Sequence, residues 1–438
     1  MKYSLRTSFA RRTLLLLAAT FMLTVVGRLV VLTGATHFCS GWPLCIPTEP
    51  IGYLTLFHFI LVGMASLVML DVWRKAWREQ RHHAVLLPLT TITGVLFLGQ
   101  SLVGALSTTD AYSFHLVVLH SLTAIALWIS LAMLVFISGT LKEDGVADYQ
   151  GTFKDRVKDF FILSKPVIVL LLLVTTYGGL VAGGKAWPSA SLTFWTLFGG
   201  ALAAAGSSAL NQYIDRELDK NMQRTSKRPL ADGRLTPAEG LSYGLALCLV
   251  SYYVMAGYVN FLAALLSLAG IFYYVFFYSV WLKKATVQNI VIGGGAGAIP
   301  PMVGWAAATG ELTLAAWILF AIIFMWTPPH FWALAIVRKS DYARAGVPML
   351  PVVEGEEKTR KQILIYTVEL IAVTLLLPIL NLAGTIYLVS AIVLGAFLFY
   401  AAWKVFRVGG NKVAWMMYRW SSMYLAFIFL ALILDAVL

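Results

Sequence analysis

Asn211, Asp215 and Asp219 recur every four residues in the segment ALNQYIDRELDKNMQRTSKRPL. On a helix that spacing stacks three oxygen-bearing side chains along one face. Hard oxygen ligands of this kind suit Mg²⁺, which keeps several of its waters and binds through one or two carboxylates together with substrate phosphates. The bases that follow, Lys220, Arg224, Lys227 and Arg228, are placed to clamp those phosphates. Carboxylates for a metal beside cations for phosphate imply a diphosphate ligand. A single Asp at a helix end is usually a solvated charge. Three oxygen-bearing groups on one face, close to membrane depth where ionisable residues are functional by default, outweigh that reading.

A second cluster lies in TPPHFWALAIVRKSDYARAGVPMLPVVEGEEKTRK, where Asp341 follows Arg338 and Lys339 and the next Gly-Val-Pro ends the helix. A diphosphate bridged by Mg²⁺ needs ligands from two sides, so Asn211, Asp215, Asp219 and Asp341 are the expected catalytic metal ligands. Lys220, Arg224, Arg228, Lys283, Lys284, Arg338 and Lys339 are the expected diphosphate-binding residues. His330, between Pro329 and Phe331, reads either as a hydrogen-bonded packing residue or as a ligand or base. The glycines within 293–297 lack the strand context of a phosphate loop and read as close helix packing.

The elements that must carry these residues are membrane helices. Of 438 residues 59% are hydrophobic and 12% charged, and the mean hydropathy is +0.79, against about 25% charge in soluble domains. Continuous apolar runs of about 20 residues exclude a soluble globule and an outer-membrane barrel. About thirteen such runs give an all-α polytopic membrane protein. The net charge of +12 requires no nucleic-acid partner, because the basic residues flank the spans. If the N-terminus is cytoplasmic, all but two of the 33 Lys and Arg, Arg28 and Lys185, fall on the inner side. That bias predicts a multi-pass protein of the cell inner (plasma) membrane with its N-terminus in the cytoplasm. The charged stretch 142–163 places Phe153, Val157, Phe160 and Phe161 on one face and reads as an interfacial amphipathic linker. It separates a four-helix domain, 1–141, from a nine-helix domain, 164–438.

The run N-x-x-x-D-x-x-x-D, then M-x-R-T-x-x-R-P-L, YSVWLKKAT, NIVIGGGAGAIPPMVGW, F-x-W-T-P-P-H-F-W-A-L and D-Y-x-x-A-G-x-P-M-L-P, resembles the protohaem IX farnesyltransferases (haem O synthases) of the UbiA prenyltransferase superfamily. The resemblance covers roughly residues 160–437. It implies nine helices around a central cavity, with farnesyl diphosphate and protohaem IX as substrates and Mg²⁺ as cofactor in the lipid bilayer. It also implies a place in haem A and cytochrome oxidase biogenesis, and it moves His330 toward contact with the substrate haem or proton handling. Ala345 stands where a second Asp is common in the wider superfamily, which argues against a symmetrical two-metal site. The rival readings are a prenyltransferase acting on a quinone precursor or a chlorin, and a transporter with acidic coupling-ion sites.

Residues 25–138, with VGRLVVLTGATHFCSGWPLC, GQSLVGALSTTD and HLVVLHSLTA, resemble one half of haem A synthase, an expected partner that acts on haem O. Thr55 stands where that family commonly carries Glu, so a stabilising, haem-handing or regulatory role is expected rather than a second oxidation. His58 and His120 enter at matching depth on two spans, the geometry of a six-coordinate iron, and are the expected ligands of a haem b. His82 and His83, in an inner loop, read as solvated. Cys39 and Cys45, around Gly41-Trp42-Pro43 in an outer loop, are expected to form a disulfide.

Overall fold

The computed structural model describes residues 7–40, 45–107, 114–140 and 151–438, without the side chains of residues 40, 106, 107, 114–117 and 284. It is all-α and polytopic. Among the described residues twelve helices are long and apolar enough to cross a membrane. The remaining expected span falls in α7 (Ala190–Lys220), where glycines, serines and the polar end dilute an otherwise apolar helix.

The chain divides into two compact units, residues 1–152 with 234–249, and residues 153–233 with 250–438. In the first, α1 (Ser8–Thr33), α2 (Gly52–Glu79), α3 (Leu86–Ser107) and α4 (Phe114–Ser138) pack around Leu16, Met69, Leu86 and Leu131. Thr7 starts α1 by accepting from the Ala10 amide at 3.1 Å, and Gly34, with φ of 63°, ends it in the left-handed conformation that glycine adopts at no cost. A two-residue antiparallel ladder, β1 (Cys39–Ser40) with β2 (Ile46–Pro47), follows, and Cys39 and Cys45 are bonded with Cα atoms 5.2 Å apart.

His83 is more than a solvated loop residue. Its Nδ1 accepts from the amides of Val85 and Leu86 at 3.3 and 3.0 Å, capping α3, and burial lowers its pKa below the ordinary histidine value.

Residues 234–249 join this unit because Thr236 and Glu239 build a capping box. The Thr236 amide donates to Glu239 Oε2 at 2.8 Å and the Glu239 amide donates to Thr236 Oγ1 at 3.2 Å. Arg81 then donates from Nη2 to the same Glu239 Oε2 at 3.0 Å, with both side chains buried. α8 (Pro237–Tyr258) starts from this box.

The second unit opens with α5 (Phe153–Leu163). Phe153, Val157 and Phe161 are exposed along it, while Phe160 of the same expected face is partly buried; the first part of the linker lies outside the described residues. Then come α6 (Pro166–Gly184), α7, and α9 (Phe261–Phe272), which continues as a π-helix over Tyr273–Leu282. α10 (Lys283–Ala285) leads to α11 (Asn289–Thr309) and α12 (Leu314–Val337), and the short α13 (Lys339–Arg344) and α14 (Leu350–Val353) precede α15 (Glu356–Ile379), α16 (Thr385–Val408) and α17 (Asn411–Val437).

α6 and α11 touch backbone to backbone: a Cβ on Gly304 would fall on the Thr176 carbonyl, and one on Gly179 on the Pro301 carbonyl. Such a contact between membrane helices needs small residues. It fixes α6, which begins beside Lys165, against α11, which follows Lys283. Gly293 and Gly294 leave room for the side chains of Tyr278 and Thr327, so the glycine run is used for helix packing.

Candidate active site

The helical repeat of α7 brings Asn211, Asp215 and Asp219 to one face, and all three are buried. Asn211 donates from Nδ2 to Asp215 Oδ2 at 2.8 Å and to Ser279 Oγ at 3.1 Å. Its Oδ1 accepts from Lys165 Nζ at 2.8 Å. Lys283 Nζ reaches Asp215 Oδ2 at 2.5 Å, and Arg228 Nη1 reaches Asp219 Oδ2 at 2.7 Å. The loop after α7 turns back on the helix end, with Thr225 Oγ1 donating to the Asp219 carbonyl at 3.3 Å, which delivers Arg228 to its carboxylate. Asp215 Oδ1 alone among the oxygens of this stripe is buried with no hydrogen-bond partner.

Lys165 and Ser279 did not stand out in the sequence. Lys165 precedes Pro166 and takes φ of 50° and ψ of 61°, a conformation costly for a residue with a Cβ and before proline. Its side chain is held at the acidic stripe. Burial pushes the Lys165 ammonium down to about 7, with Arg228 and Lys283 acting in the same direction against Asp215 and Asp219. A Lys-Pro pair opening a span was the available signal. Ser279 left no signal, because it arrives through the π-helix: its hydroxyl donates five residues back to the Tyr274 carbonyl at 2.8 Å and accepts from Asn211. π-Helical turns often occur at functional sites.

The remaining candidates separate. Lys220 turns outward to Glu217 at 2.8 Å, Lys339 is exposed, and the Lys284 side chain lies outside the described residues. Asp341 is buried at α13, with Arg338 Nη1 at 4.0 Å and Arg344 Nη2 at 3.8 Å. It lines an open cavity with Arg224, Arg338, Tyr342, Trp415 and Tyr418 over a floor of Met222 and Leu334. Burial raises the Tyr342 hydroxyl above the usual tyrosine range, Asp341 adds to this, and Arg224 and Arg338 oppose it. The phenol therefore keeps its proton. Tyr278 is within electrostatic reach of both Asp215 and Tyr342.

His330 is enclosed. Its ring stacks on Trp326 (4.2 Å between centroids, 23°) and on Tyr418 (4.5 Å, 29°), and Nδ1 bonds Ser421 Oγ at 2.8 Å. Of its stacking partners, Tyr418 lines the cavity.

Among the described residues no three His, Cys, Asp or Glu side chains converge on a metal position. One unpartnered carboxylate oxygen among bases fits an ion held largely by substrate phosphates, which is how Mg²⁺ binds nucleotides and diphosphates.

The first unit holds a separate polar pair. His58 on α2 lies with its Cε1 2.9 Å from where a Cβ on Gly27 of α1 would be, and His120 on α4 lies similarly 3.2 Å from Gly104 of α3. The two imidazoles are close enough to repel when charged. Gln100 Nε2 contacts His120 Nε2 at 3.0 Å, while Nδ1 of both histidines is buried without a partner. Orphaned nitrogens beside glycines that leave room for each ring fit ligands of a flat metal complex.

Residues 172–429 match the UbiA prenyltransferase family. A protohaem IX farnesyltransferase of Roseiflexus sp. (strain RS-1) is 39% identical over 99% of this chain and 86% of its own length. Its counterpart in Chloroflexus aurantiacus is 49% identical over 65% of this chain and 49% of its own length. A solved digeranylgeranylglyceryl phosphate synthase shares the fold at 16% identity, with a TM-score of 0.56, over 65% of this chain and 99% of the other.

Proposed function

Because this chain belongs to the UbiA prenyltransferase family, and stands there among the protohaem IX farnesyltransferases, we propose how its residues carry out their reaction. The chain transfers the farnesyl group of farnesyl diphosphate to a vinyl group of protohaem IX, giving haem O and diphosphate. The observation that carries the residue assignment is the buried, unpartnered Asp215 Oδ1 beside Lys165, Lys283 and Arg228.

In this reading Asp215 holds Mg²⁺, with Asn211, Asp219 and Asp341 as its supporting polar groups; the ion, when bound, neutralises charge on the departing diphosphate. Lys165, Lys283 and Arg228 bind the phosphate oxygens, and their preorganised charge stabilises the bond-breaking transition state. The C1–O bond breaks and its electron pair leaves with diphosphate. Tyr274 and Tyr278, stacked 5.6 Å apart next to Asp215, present π-faces to the allylic cation and keep water from it. The vinyl electron pair then forms the new carbon–carbon bond, and water adds to the resulting cation with loss of a proton.

Membranes containing the protein, given Mg²⁺, labelled farnesyl diphosphate and protohaem, are expected to yield a labelled hydroxyethylfarnesyl haem on chromatography and mass spectrometry. Labelling of an aromatic acid in preference to protohaem would move the protein to the quinone-precursor branch. Absence of any product would sink the reading.

The inside-positive bias supports an inner-membrane protein with a cytoplasmic N-terminus and the acidic mouth on that face. Cysteines placed near Lys220 should then be labelled only by reagents admitted to the cytoplasmic side. An enzyme that oxidises haem O, such as haem A synthase, is the partner this reading implies. We also infer that the first unit binds haem through His58 and His120, supported by their orphaned nitrogens and glycine-lined rings.

A further inference from the structure

We propose that the cavity beside Asp341 is the acceptor subsite, where Arg224 and Arg338 pair with the two carboxylates of a metalloporphyrin and Trp415, backed by Tyr418, supports its flat face. The proposal rests on the farnesyl-transfer reading and adds residues to it. Three observations carry it.

The first is the distribution of cations. The acidic stripe of α7 is already served by Lys165, Lys283 and Arg228. Arg224 and Arg338 stand apart from it, at the wall of the cavity. Arg224 has no carboxylate partner among the described residues, and Arg338 is 4.0 Å from Asp341, too far for a hydrogen bond. Two exposed guanidiniums at one opening suit a second anion with two separated carboxylates, which each fork can bind bidentately.

The second is an aromatic wall built to stay in place. Trp415 stacks on Tyr418 (5.1 Å, 24°), Tyr418 on His330 and His330 on Trp326. Ser421 locks the far end, with its Oγ bonded to His330 Nδ1 and its carbonyl accepting from Trp326 Nε1 at 2.7 Å. A four-ring stack ending in the half-exposed Trp415 presents a rigid π-face to a macrocycle at little entropic cost. His330 is thus a positioning residue, holding Tyr418.

The third is the remaining lining. Met222 and Leu334 line the cavity with apolar surface, and Tyr342 adds a hydroxyl to the wall. The cavity, about 160 Å³ and open at its mouth, admits one propionate-bearing edge of a porphyrin while the opposite edge extends outward. With the diphosphate held by Lys165, Lys283 and Arg228, the farnesyl chain itself offers these two arginines no anion.

The test compares protohaem with its dimethyl ester as acceptors, in the full-length wild-type protein and in Arg224→Gln/Arg338→Gln. A charge-assisted pair contributes about 1.5–3 kcal/mol, which converts to roughly tenfold or more in affinity for each propionate lost. Wild type should therefore show a KM for the ester at least about tenfold above that for the free acid. The double variant should treat both acceptors alike, with the KM for farnesyl diphosphate unchanged. Both arginines are exposed, so folding should survive. The wild-type comparison stands by itself if it does not.

Equal use of acid and ester by wild type overturns the proposal. So does a double variant that still discriminates as wild type does, or one whose KM rises for farnesyl diphosphate and not for protohaem. Absence of haem O from wild type with either acceptor is the different result that sinks the underlying reading.

Discussion

Asp215→Asn is expected to lower haem O formation by roughly 10²–10³-fold while leaving the protein folded, the loss seen when one preorganised electrostatic group is removed from a transition state. The amide is isosteric, and its remaining oxygen can still accept from Asn211 and Lys283, which both meet Oδ2 in the native site. What disappears is the negative charge behind the unpartnered Oδ1. The measurement is the initial rate of labelled haem O formation across a Mg²⁺ titration, with size-exclusion behaviour as the control for folding. Excess Mg²⁺ should not restore the rate. A folded variant that keeps even a tenth of wild-type activity would remove Asp215 from the metal site. Asp219→Asn should cost less, since Asp219 is already committed to Arg228 and its replacement mainly frees that arginine.

The second large effect is spectroscopic and concerns the first unit alone. Purified protein supplemented with haem b should show, when reduced, the sharp α-band of a low-spin iron with two imidazole ligands. His58→Ala or His120→Ala should abolish it, and His82→Ala, an exposed loop change, should leave it intact. The physical ground is the pairing of two half-buried histidines whose buried Nδ1 atoms lack partners, each ring lying where a neighbouring glycine leaves room for it. Gln100, which contacts His120 Nε2, must yield that nitrogen if iron takes it, so Gln100→Leu should retain the band. Persistence of the spectrum in both single alanine variants, or its absence from haem-supplemented wild type, would refute the site. The experiment is independent of farnesyl transfer, and either result leaves the assignment of the second unit untouched.

Thr55 belongs to the same region. Its hydroxyl is buried without a partner three residues before His58, where the resemblance to haem A synthase calls for Glu. A hydroxyl carries no charge to place beside a haem.

Much of the active site was legible because its chemistry is local. The acidic stripe needs only the 3.6-residue repeat of one helix, and α7 presents Asn211, Asp215 and Asp219 as that repeat requires. The glycine run was readable as helix packing because a phosphate loop needs a strand before it. The cysteine pair was readable because a short loop limits how far its ends can separate.

The same reasoning could not sort the basic residues. Seven candidates share loops beside the membrane, and nothing in their spacing distinguishes Lys283, which reaches Asp215, from Lys220, which turns to Glu217. His330 was ambiguous for the same reason: its partners Ser421 and Tyr418 lie on α17, 91 residues from His330 in the case of Ser421.

The sequence alone determined the solvent, the helical class and the face on which the oxygens of Asn211, Asp215 and Asp219 stand, because those follow from composition and from periodicities within single segments. The tertiary structure decided which cations meet those oxygens. Lys165 reaches Asn211 from 46 residues away, while Ser279 meets Asn211 and Lys283 meets Asp215 across 68 residues each. Those contacts exist because glycines let α6 and α11 approach backbone to backbone and because α9 widens into a π-helix before Ser279. Neither a close approach between distant helices nor a change of helical pitch is encoded by the local repeat, so the division between the base-paired acidic stripe and the arginine-edged cavity emerges only when the helices pack.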